Sequence, residues 1–209
     1  MTASLFDDAL LEAPADKRDL PIEEGQLALW YPLFTSSEAD TLFTRLSETL
    51  AWTQDEMKIA GKVIPIPRLQ AWYGDDNSHY GYSGISLPPI NWTEELRYIK
   101  QKIEAITQQP YNSVLANYYR DGNDSVSWHQ DNEPELGHNP VIASLSLGAT
   151  RQFQLRHIAR KHSTIKLNLP HNALLLMSGE TQKNWQHQIP KTKKAVGPRI
   201  NLTFRLIYS

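Results

Sequence analysis

The chain has 209 residues, 40% of them hydrophobic, and its 21 Lys and Arg against 23 Asp and Glu give a net charge of −2. It contains no cysteine, which excludes disulfide bonds and thiolate metal sites, and no run of about 18 apolar residues, which excludes a membrane-spanning helix. We therefore expect one soluble domain in a reducing compartment: the cytoplasm, or also the nucleus if the source is eukaryotic.

The first predicted elements are a tail and a helix. Residues 1–25 lack periodicity and are predicted to form a flexible acidic tail, whereas residues 26–209 are predicted to form a single domain. Ser36 or Ser37 can cap a helix that runs to about Leu50, because apolar residues recur there every three or four positions.

Short elements dominate the rest of the chain. Residues 52–90 are rich in Gly, Pro and aromatic residues, which favours short hairpins and loops. A second helix is predicted after Asn91, with apolar residues at helical spacing. Six later segments are strand candidates: 113–119, 141–147, 152–156, 164–169, 173–178 and 199–208. This order predicts an α+β but mainly β fold, a sandwich or jelly roll preceded by helices.

The charges are divided unevenly along the chain. Residues 151–209 carry 11 Lys and Arg against one acid, whereas the first 150 residues carry 10 bases against 22 acids. Two basic clusters stand out: Arg156, His157, Arg160, Lys161 and His162, and then Lys191, Lys193 and Lys194. Basic faces bind phosphate backbones, so nucleic acid is a candidate partner, although most charge runs are solvated loops.

Residues 199–208 alternate between polar and apolar side chains, as in a half-buried strand. Arg199 and Arg205 lie on the same face because an even number of positions separates them. The strand between them spans about 20 Å, which two long side chains leaning together could mostly close around a small dicarboxylate. An amphipathic edge strand with solvated arginines explains the same spacing equally well.

Three further residues have the composition of an iron site. His129 and Asp131 are two positions apart, and His187 follows 58 positions (187 − 129) after the first histidine. Two imidazoles and one carboxylate bind one face of Fe(II) and leave the opposite positions open for a co-substrate and oxygen. A His-x-Asp triplet alone is weak evidence, since it also fits a solvated turn or a helix cap.

Taken together, these ordered motifs resemble the iron- and 2-oxoglutarate-dependent AlkB-type nucleic acid demethylases. The resemblance is closest to small animal and bacterial homologues that repair alkylated DNA, and it covers about the last three-quarters of the chain. It includes four further segments: 67–74, 82–84, Asn117-x-Tyr119 and 198–205. It implies a double-stranded β-helix (jelly roll) core with supporting N-terminal helices.

The resemblance implies Fe(II), 2-oxoglutarate and O2 as cofactors, with His129, Asp131 and His187 as the iron ligands. The reaction would convert 2-oxoglutarate to succinate and carbon dioxide, hydroxylate a methyl group on a base nitrogen, and release formaldehyde. Bases such as N1-methyladenine and N3-methylcytosine pair poorly and therefore cost less to flip out of a duplex. The implied function is oxidative demethylation of N-alkylated bases in DNA, with RNA as a further substrate.

A second group of residues matches the family's co-substrate site. Arg199 would pair with the distal carboxylate of 2-oxoglutarate, and Arg205 would support the end that chelates iron. Asn117, Tyr119 and Thr203 would hydrogen-bond around the co-substrate. The first two share one face of a strand, as a common ligand requires. A core aromatic with a satisfied hydroxyl is the alternative for Tyr119.

Residues in the 52–90 loops and just after Asp131 match positions that recognise the nucleotide. Tyr82 would stack on the flipped base, and Tyr80 and Glu133 would line its pocket, where a carboxylate favours a cationic base. A surface aromatic and a solvated acid are the alternatives for Tyr82 and Glu133.

Two departures from the family pattern concern this recognition. Residues 57–62 match a finger that, in a duplex-specialised relative, places a bulky aromatic in the base stack. The matching position here is Ala60, followed by Gly61 and Lys62, and a methyl group cannot fill a vacated base site. Asn132 stands where that relative has an acid. We therefore predict a repair demethylase that tolerates single strands.

Two other classes of function stay open. One is a 2-oxoglutarate-dependent hydroxylase of a protein or small molecule, against which the basic C-terminal half argues. The other is a non-catalytic jelly-roll module that binds nucleic acid, against which the complete set of ligands argues. We expect a monomer that acts on nucleic acid and does not bind membranes.

Overall fold

The computed structural model describes residues 16–59, 61–76, 80–82, 85–87, 89–160 and 164–208. The strands, in chain order, are β1 Lys17–Leu20, β2 Gln26–Trp30, β3 Glu56–Ile59, β4 Lys62–Pro65, β5 Leu69–Gly74, β6 Tyr80–Tyr82, β7 Ile85–Leu87, β8 Ser113–Tyr119, β9 Val126–His129, β10 Ile142–Gly148, β11 Arg151–His157, β12 Thr164–Leu169, β13 Ala173–Ser178, β14 Trp185–Ile189 and β15 Arg199–Arg205. The helices are α1 Ser36–Thr49, α2 Glu94–Thr107 and α3 Thr181–Asn184, and Pro134–Leu136 form a 3-10 turn.

Two antiparallel sheets form the body of the fold. The larger sheet has the order β1-β2-β13-β10-β15-β8-β5, and the smaller has the order β12-β11-β14-β9. Both contribute to one apolar cluster, with Leu175 and Met177 from the larger sheet and Phe153 and Leu155 from the smaller. Within 52–90, β3 pairs with β4 and β6 pairs with β7 as separate two-stranded sheets, and β5 forms one edge of the larger sheet. This arrangement confirms the predicted mainly β jelly roll.

Strand β15 lies in the interior of the larger sheet, between β10 and β8, and all of its residues are buried. Ile200, Leu202 and Phe204 pack in the apolar cluster that includes α1 and α2. An edge strand with solvated arginines is therefore the wrong interpretation of residues 199–208. The strand ends at Arg205, three residues before the predicted end.

Helices α1 and α2 pack against the larger sheet through their apolar faces. The predicted cap at Ser36 or Ser37 is wrong, because Thr35 is the cap. Its hydroxyl accepts the backbone N–H of Glu38, whose carboxylate accepts the backbone N–H of Thr35. This reciprocal pair satisfies two donors at the helix start. No helix in the described ranges is both long and apolar enough to cross a bilayer.

The flexible tail predicted for residues 1–25 is wrong for the part that forms β1. That strand pairs with β2 and makes one edge of the larger sheet. Farther along, Trp185 Nε1 donates to the carbonyl oxygen of Glu23 at 2.8 Å, and His157 Nε2 lies 2.7 Å from a carboxylate oxygen of Glu24. Trp185 and His157 are more than a hundred positions away from these two glutamates in the sequence, so local periodicity did not indicate the contacts. Residues 1–15 lie outside the described residues.

Candidate active site

Three polar side chains from the smaller sheet and its adjoining loop converge on one point. His129 is the last residue of β9, and His187 lies directly opposite it in β14. Asp131 is buried in the loop that follows β9. Its carboxylate oxygens lie 4.0 Å from His129 Nε2 and 3.9 Å from His187 Nε2. The three ligand atoms all lie within 4.8 Å of one another, so one metal ion could contact all three.

The two imidazoles are oriented by their neighbours. His129 Nδ1 lies 2.8 Å from the carbonyl oxygen of Ser127 and donates its proton there, so Nε2 carries the lone pair. The ring centroids of His129 and His187 are 4.2 Å apart, and Phe153 stacks on His187 at 5.2 Å. In His129, the nitrogen that faces the carboxylate is therefore the one free to bind a metal.

Asp131 is held from two sides. Arg205 Nη2 donates to Asp131 Oδ1 at 2.9 Å, and the backbone N–H of Asp131 donates to Oε1 of the buried Gln182 at 3.0 Å. Burial acts to raise the pKa of Asp131, but the Arg205 guanidinium and the two imidazoles outweigh it and lower the pKa to about 2. The carboxylate is therefore ionised at neutral pH.

His187 is neutral because burial has the largest effect on its pKa. Burial, and then the neighbouring His129, lowers its pKa to about 3, although the Asp131 carboxylate acts in the other direction. Metal ions bind neutral imidazoles and ionised carboxylates, so His187 and Asp131 are already in the protonation states that binding requires. Two nitrogens and one oxygen on one side of the ion fit Fe(II).

Most of the residues predicted to hold the co-substrate line the same cavity as the candidate metal ligands. These are Asn117, Tyr119, Thr203 and Arg205, on β8 and β15. The register of the two strands places Asn117 opposite Asn201 and Tyr119 opposite Arg199. The remaining predicted residue, Arg199, is fully buried, and its guanidinium lies 5.3 Å from the centre of the Tyr119 ring.

Arg199 is a buried cation with unused hydrogen-bond donors. Its Nη2 donates to Ser146 Oγ at 2.8 Å, whereas Nε and Nη1 have no hydrogen-bond partner in the described part of the chain. Burial lowers its pKa to about 10, so the group stays charged at neutral pH. Burying such a charge is costly unless an anion pairs with it, and guanidinium donors suit a carboxylate. Arg199 therefore fits one carboxylate of a dicarboxylate such as 2-oxoglutarate.

The pair of arginines differs in one respect from the predicted clamp. Arg199 contacts Ser146, whereas Arg205 forms an ion pair with Asp131. One guanidinium of the expected clamp is thus already engaged by a candidate iron ligand. Arg205 therefore links the metal ligands to β15.

Other polar residues of the cavity were missed by reasoning from the sequence. Arg68, Ser144 and Asn201 all line it and are buried. Asn201 Nδ2 donates to Ser144 Oγ at 2.8 Å, and Arg68 Nε donates to Asn117 Oδ1 at 2.7 Å. The alternation of β15 indicates that Asn201 faces the same side as the arginines. Arg68 lies in segment 67–74, which matches the family, although no role in the cavity was predicted for it. The sequence holds no comparable signal for Ser144.

The residues predicted to recognise the base are described only in part. Glu133 is half-buried, and its Oε2 is buried without a hydrogen-bond partner among the described residues. Asn132 is exposed. Tyr80 and Tyr82 belong to β6.

The hairpin β3–β4 presents apolar and basic residues to solvent. Gly61 and Lys62 are exposed, and Gly61 has a φ of +81°, in the left-handed region. Val63 and Ile64 are 59% and 39% exposed. Ala60 lies outside the described residues.

The two basic clusters differ in how freely their charges face solvent. In the first, Arg156 lies over the Trp128 ring at 4.3 Å, Arg160 is ion-paired with Glu24, and His157 Nε2 lies within hydrogen-bond distance of the same carboxylate. The other two members of this cluster lie outside the described residues. The second cluster is exposed at all three lysines: Lys191, Lys193 and Lys194. The second is therefore the better candidate for binding phosphate.

Comparisons with known proteins agree with this site. Residues 26–205 match the model of the 2OG-Fe(II) oxygenase superfamily. The chain is 44% identical over 189 residues to the alpha-ketoglutarate-dependent dioxygenase alkB homolog 3 of Mus musculus, covering 85% of this chain and 65% of that protein. It is 37% identical over 194 residues to the DNA oxidative demethylase ALKBH2 of Homo sapiens, covering 88% of this chain and 74% of that protein.

One solved structure has a fold similar to that of this chain. The structure of OsALKBH1 aligns with a TM-score of 0.59 and 18% identity, covering 90% of this chain and 100% of that chain. The chain belongs to the 2OG-Fe(II) oxygenase superfamily, within its AlkB-type branch. It spans 65% of the length of the mouse relative. Iron and 2-oxoglutarate are the cofactors of this superfamily, and the donor set and Arg199 fit both.

Proposed function

We propose that this protein is an oxidative demethylase that removes alkyl groups from base nitrogens in nucleic acid. The observation that carries the proposal is the convergence of His129, Asp131 and His187 in a cavity that also contains Arg205 and Asn117. The relatives named as alkB homolog 3 and as a DNA oxidative demethylase support the same reaction.

The metal and co-substrate sites divide the work between the residues of the cavity. The two histidines and Asp131 would hold iron, which with 2-oxoglutarate and oxygen supplies the oxidising equivalent that hydroxylates the alkyl group. Arg199 would bind the distal carboxylate of 2-oxoglutarate with its unused donors. Arg205 would keep Asp131 ionised and aligned while supporting the chelating end of the co-substrate.

Three further side chains would complete the co-substrate site. Asn117, Tyr119 and Thr203 line the cavity and would hydrogen-bond to 2-oxoglutarate. The contact between Arg199 and the Tyr119 ring supports a shared role at the distal carboxylate. Asn117 and Tyr119 are two residues apart on β8, so their side chains point to the same side of the strand and both can face one ligand.

The substrate would be a cationic methylated base such as N1-methyladenine or N3-methylcytosine. The buried Oε2 of Glu133 has no partner in the described part of the chain, and a carboxylate in that setting favours a positively charged ligand. Tyr82 would stack on the flipped base, and Tyr80 and Asn132 would complete its surroundings. Lesions that pair poorly are cheaper to flip out, which adds selectivity.

The strand preference would depend on the hairpin β3–β4. Ala60 has no bulk with which to fill a vacated base site, so we propose that single strands are substrates at least as good as duplexes. Gly61 and Lys62 would approach the sugar-phosphate backbone of the nucleic acid. The exposed Val63 is the residue best suited to replace the missing aromatic side chain. The exposed Lys191–Lys194 segment would bind phosphates.

The decisive experiment is product analysis with singly methylated DNA and RNA strands. The purified protein, with Fe(II), 2-oxoglutarate and ascorbate, should release formaldehyde and restore the unmethylated base. The variant Asp131→Ala, in which the carboxylate ligand is lost, should release none. Turnover of 2-oxoglutarate without formaldehyde from any methylated strand would instead favour a hydroxylase of a protein or small molecule.

Two properties stay predictions. We propose a monomer, which light scattering after size-exclusion chromatography would test, and a dimer would contradict it. We also propose a cytoplasmic location, which fractionation of the source cells would test. DNA and RNA arms of the product assay would rank the two nucleic acids as substrates.

A further inference from the structure

Arg68 connects the base of the hairpin β3–β4 to the co-substrate side of the cavity. It follows β4, is 3% exposed and donates from Nε to Asn117 Oδ1 at 2.7 Å. Its Nη2 lies 3.5 Å from Oε1 of Gln70. Gln70 stands opposite Asn117 in the β5–β8 register and donates to the carboxylate of Asp55, just before β3. A line of polar contacts therefore runs from the hairpin base to Asn117.

The direction of the Arg68 hydrogen bond determines which end of the Asn117 amide faces the cavity. A side-chain amide has an accepting oxygen and a donating NH2 group of nearly the same shape, so packing alone does not choose between them. A guanidinium only donates, and it therefore takes the oxygen. The NH2 group of Asn117 is left for a ligand in the cavity. A carboxylate bound there is attracted by a donor and repelled by an oxygen.

We propose that Arg68 is a positioning residue that orients the Asn117 amide so that its NH2 group faces a carboxylate of 2-oxoglutarate. The inference rests on the proposed function, which supplies the co-substrate. Gln70 contacts Arg68 and also donates to Asp55 at the base of the hairpin β3–β4. The hairpin β3–β4 and the proposed co-substrate site are therefore joined by one set of hydrogen bonds.

Calorimetric titration of 2-oxoglutarate into the Mn(II)-loaded protein, without nucleic acid, tests the orientation separately from turnover. Asn117→Ala removes the donor, whereas Asn117→Asp replaces it with an acceptor of the same shape. We expect the Kd to rise about ten-fold for N117A, as for the loss of a hydrogen bond to a charged ligand, and clearly more for N117D. Equal Kd values for the two variants would overturn the proposal.

The role of Arg68 is tested by a double-mutant cycle. Arg68→Met should raise the Kd about ten-fold, and the double variant R68M/N117A should bind no more weakly than N117A alone, because Arg68 acts through Asn117. Additive effects would overturn the proposal. If R68M does not fold, as judged by circular dichroism, the comparison of N117A with N117D decides the orientation by itself.

A matched control removes a guanidinium elsewhere. Arg45 forms an ion pair with Glu95 and thereby joins α1 to α2, and it does not line the cavity. Arg45→Met should therefore leave the Kd for 2-oxoglutarate unchanged, and a comparable loss of affinity would overturn the assignment to Arg68. Failure of the wild-type protein to bind 2-oxoglutarate would refute the proposed function itself, and this inference with it.

Discussion

Without metal, acid should destabilise the protein through His187. Burial and the neighbouring His129 lower the pKa of this imidazole to about 3, from an ordinary value of 6.5. In the unfolded chain His187 takes up a proton as the pH falls through 6.5, whereas the folded protein resists protonation until about pH 3. The unfolded state therefore binds more protons over this interval. The free energy of unfolding should fall as the pH drops through it.

The size of the effect follows from the interval. A difference of one pKa unit is worth about 1.4 kcal/mol. Only the part of the pKa difference between pH 6.5 and pH 5, about 1.5 units, contributes at pH 5. His187 should therefore lower the free energy of unfolding by about 2 kcal/mol at pH 5 relative to pH 8. His187→Gln removes the titrating group, so its decrease should be smaller by this amount. Asp131, with a pKa of about 2, stays ionised at both pH values and contributes little to the difference.

Urea unfolding of EDTA-treated wild type and H187Q at both pH values measures these free energies. His138→Gln is the matched control, because it makes the same substitution at an exposed histidine that does not line the cavity. Saturating Mn(II) should keep the imidazole unprotonated and remove most of the difference. The same pH dependence in wild type and H187Q would refute the reasoning, since it would assign the acid sensitivity to other groups.

Three further predictions concern other contacts of the fold and site. Arg205→Met leaves the buried Asp131 carboxylate without its ion pair and should cost about 3–5 kcal/mol in urea unfolding of the metal-free protein; an unchanged stability would contradict the assigned pair. Ala60→Phe supplies the missing aromatic and should raise formaldehyde release from duplex relative to single-stranded methylated DNA, and an unchanged ratio would argue against the hairpin as the determinant. Trp185→Phe keeps an aromatic ring but loses the donor to the Glu23 carbonyl and part of the buried indole, so thermal unfolding should show a loss of at least about 1 kcal/mol, and proteases should cut β1 faster; equal cleavage would contradict that anchoring.

The candidate iron ligands could be picked out from the sequence because the chemistry restricts the residue types. His129 and Asp131 are neighbours in sequence, so one strand end and its loop suffice to bring them together. The pairing of β9 with β14, which places His187 opposite His129, is a long-range event that spacing does not contain. The resemblance to a known family supplied that link.

Other parts of the prediction failed where the deciding partner is distant. The pairing of His157 and Arg160 with Glu24 joins segments more than a hundred positions apart, so a basic cluster in the sequence becomes partly neutralised in the fold. The cap at Thr35 is a different case, because it depends on neighbouring residues. Glu38 lies three positions after Thr35, which is the sequence pattern of a capping box. Ser36 and Ser37 are residue types that also cap helices, so only the position of Glu38 distinguishes Thr35 as the cap.

The site has a co-substrate half around Arg199 and a metal half around His129 and His187, and each half depends on the register of one strand pair. Pairing of β8 with β15 places Tyr119 opposite Arg199, and pairing of β14 with β9 places His187 opposite His129. A slip of one residue in either pair would turn every side chain of that strand to the other face. In β15 such a slip is opposed by Ile200, Leu202 and Phe204, which would have to leave the helix-facing core for the polar cavity.

The halves meet in the ion pair between Asp131 and Arg205, where a loop of the smaller sheet touches a strand of the larger. Both side chains are buried, so separating them would leave a charge without its partner on either side. The position of the carboxylate ligand is thus tied to the strand that also carries Arg199. A shift of β15 that moved Arg199 in the proposed co-substrate site would therefore also disturb Asp131 among the candidate metal ligands, and this physical coupling ties the geometry of the two sites together.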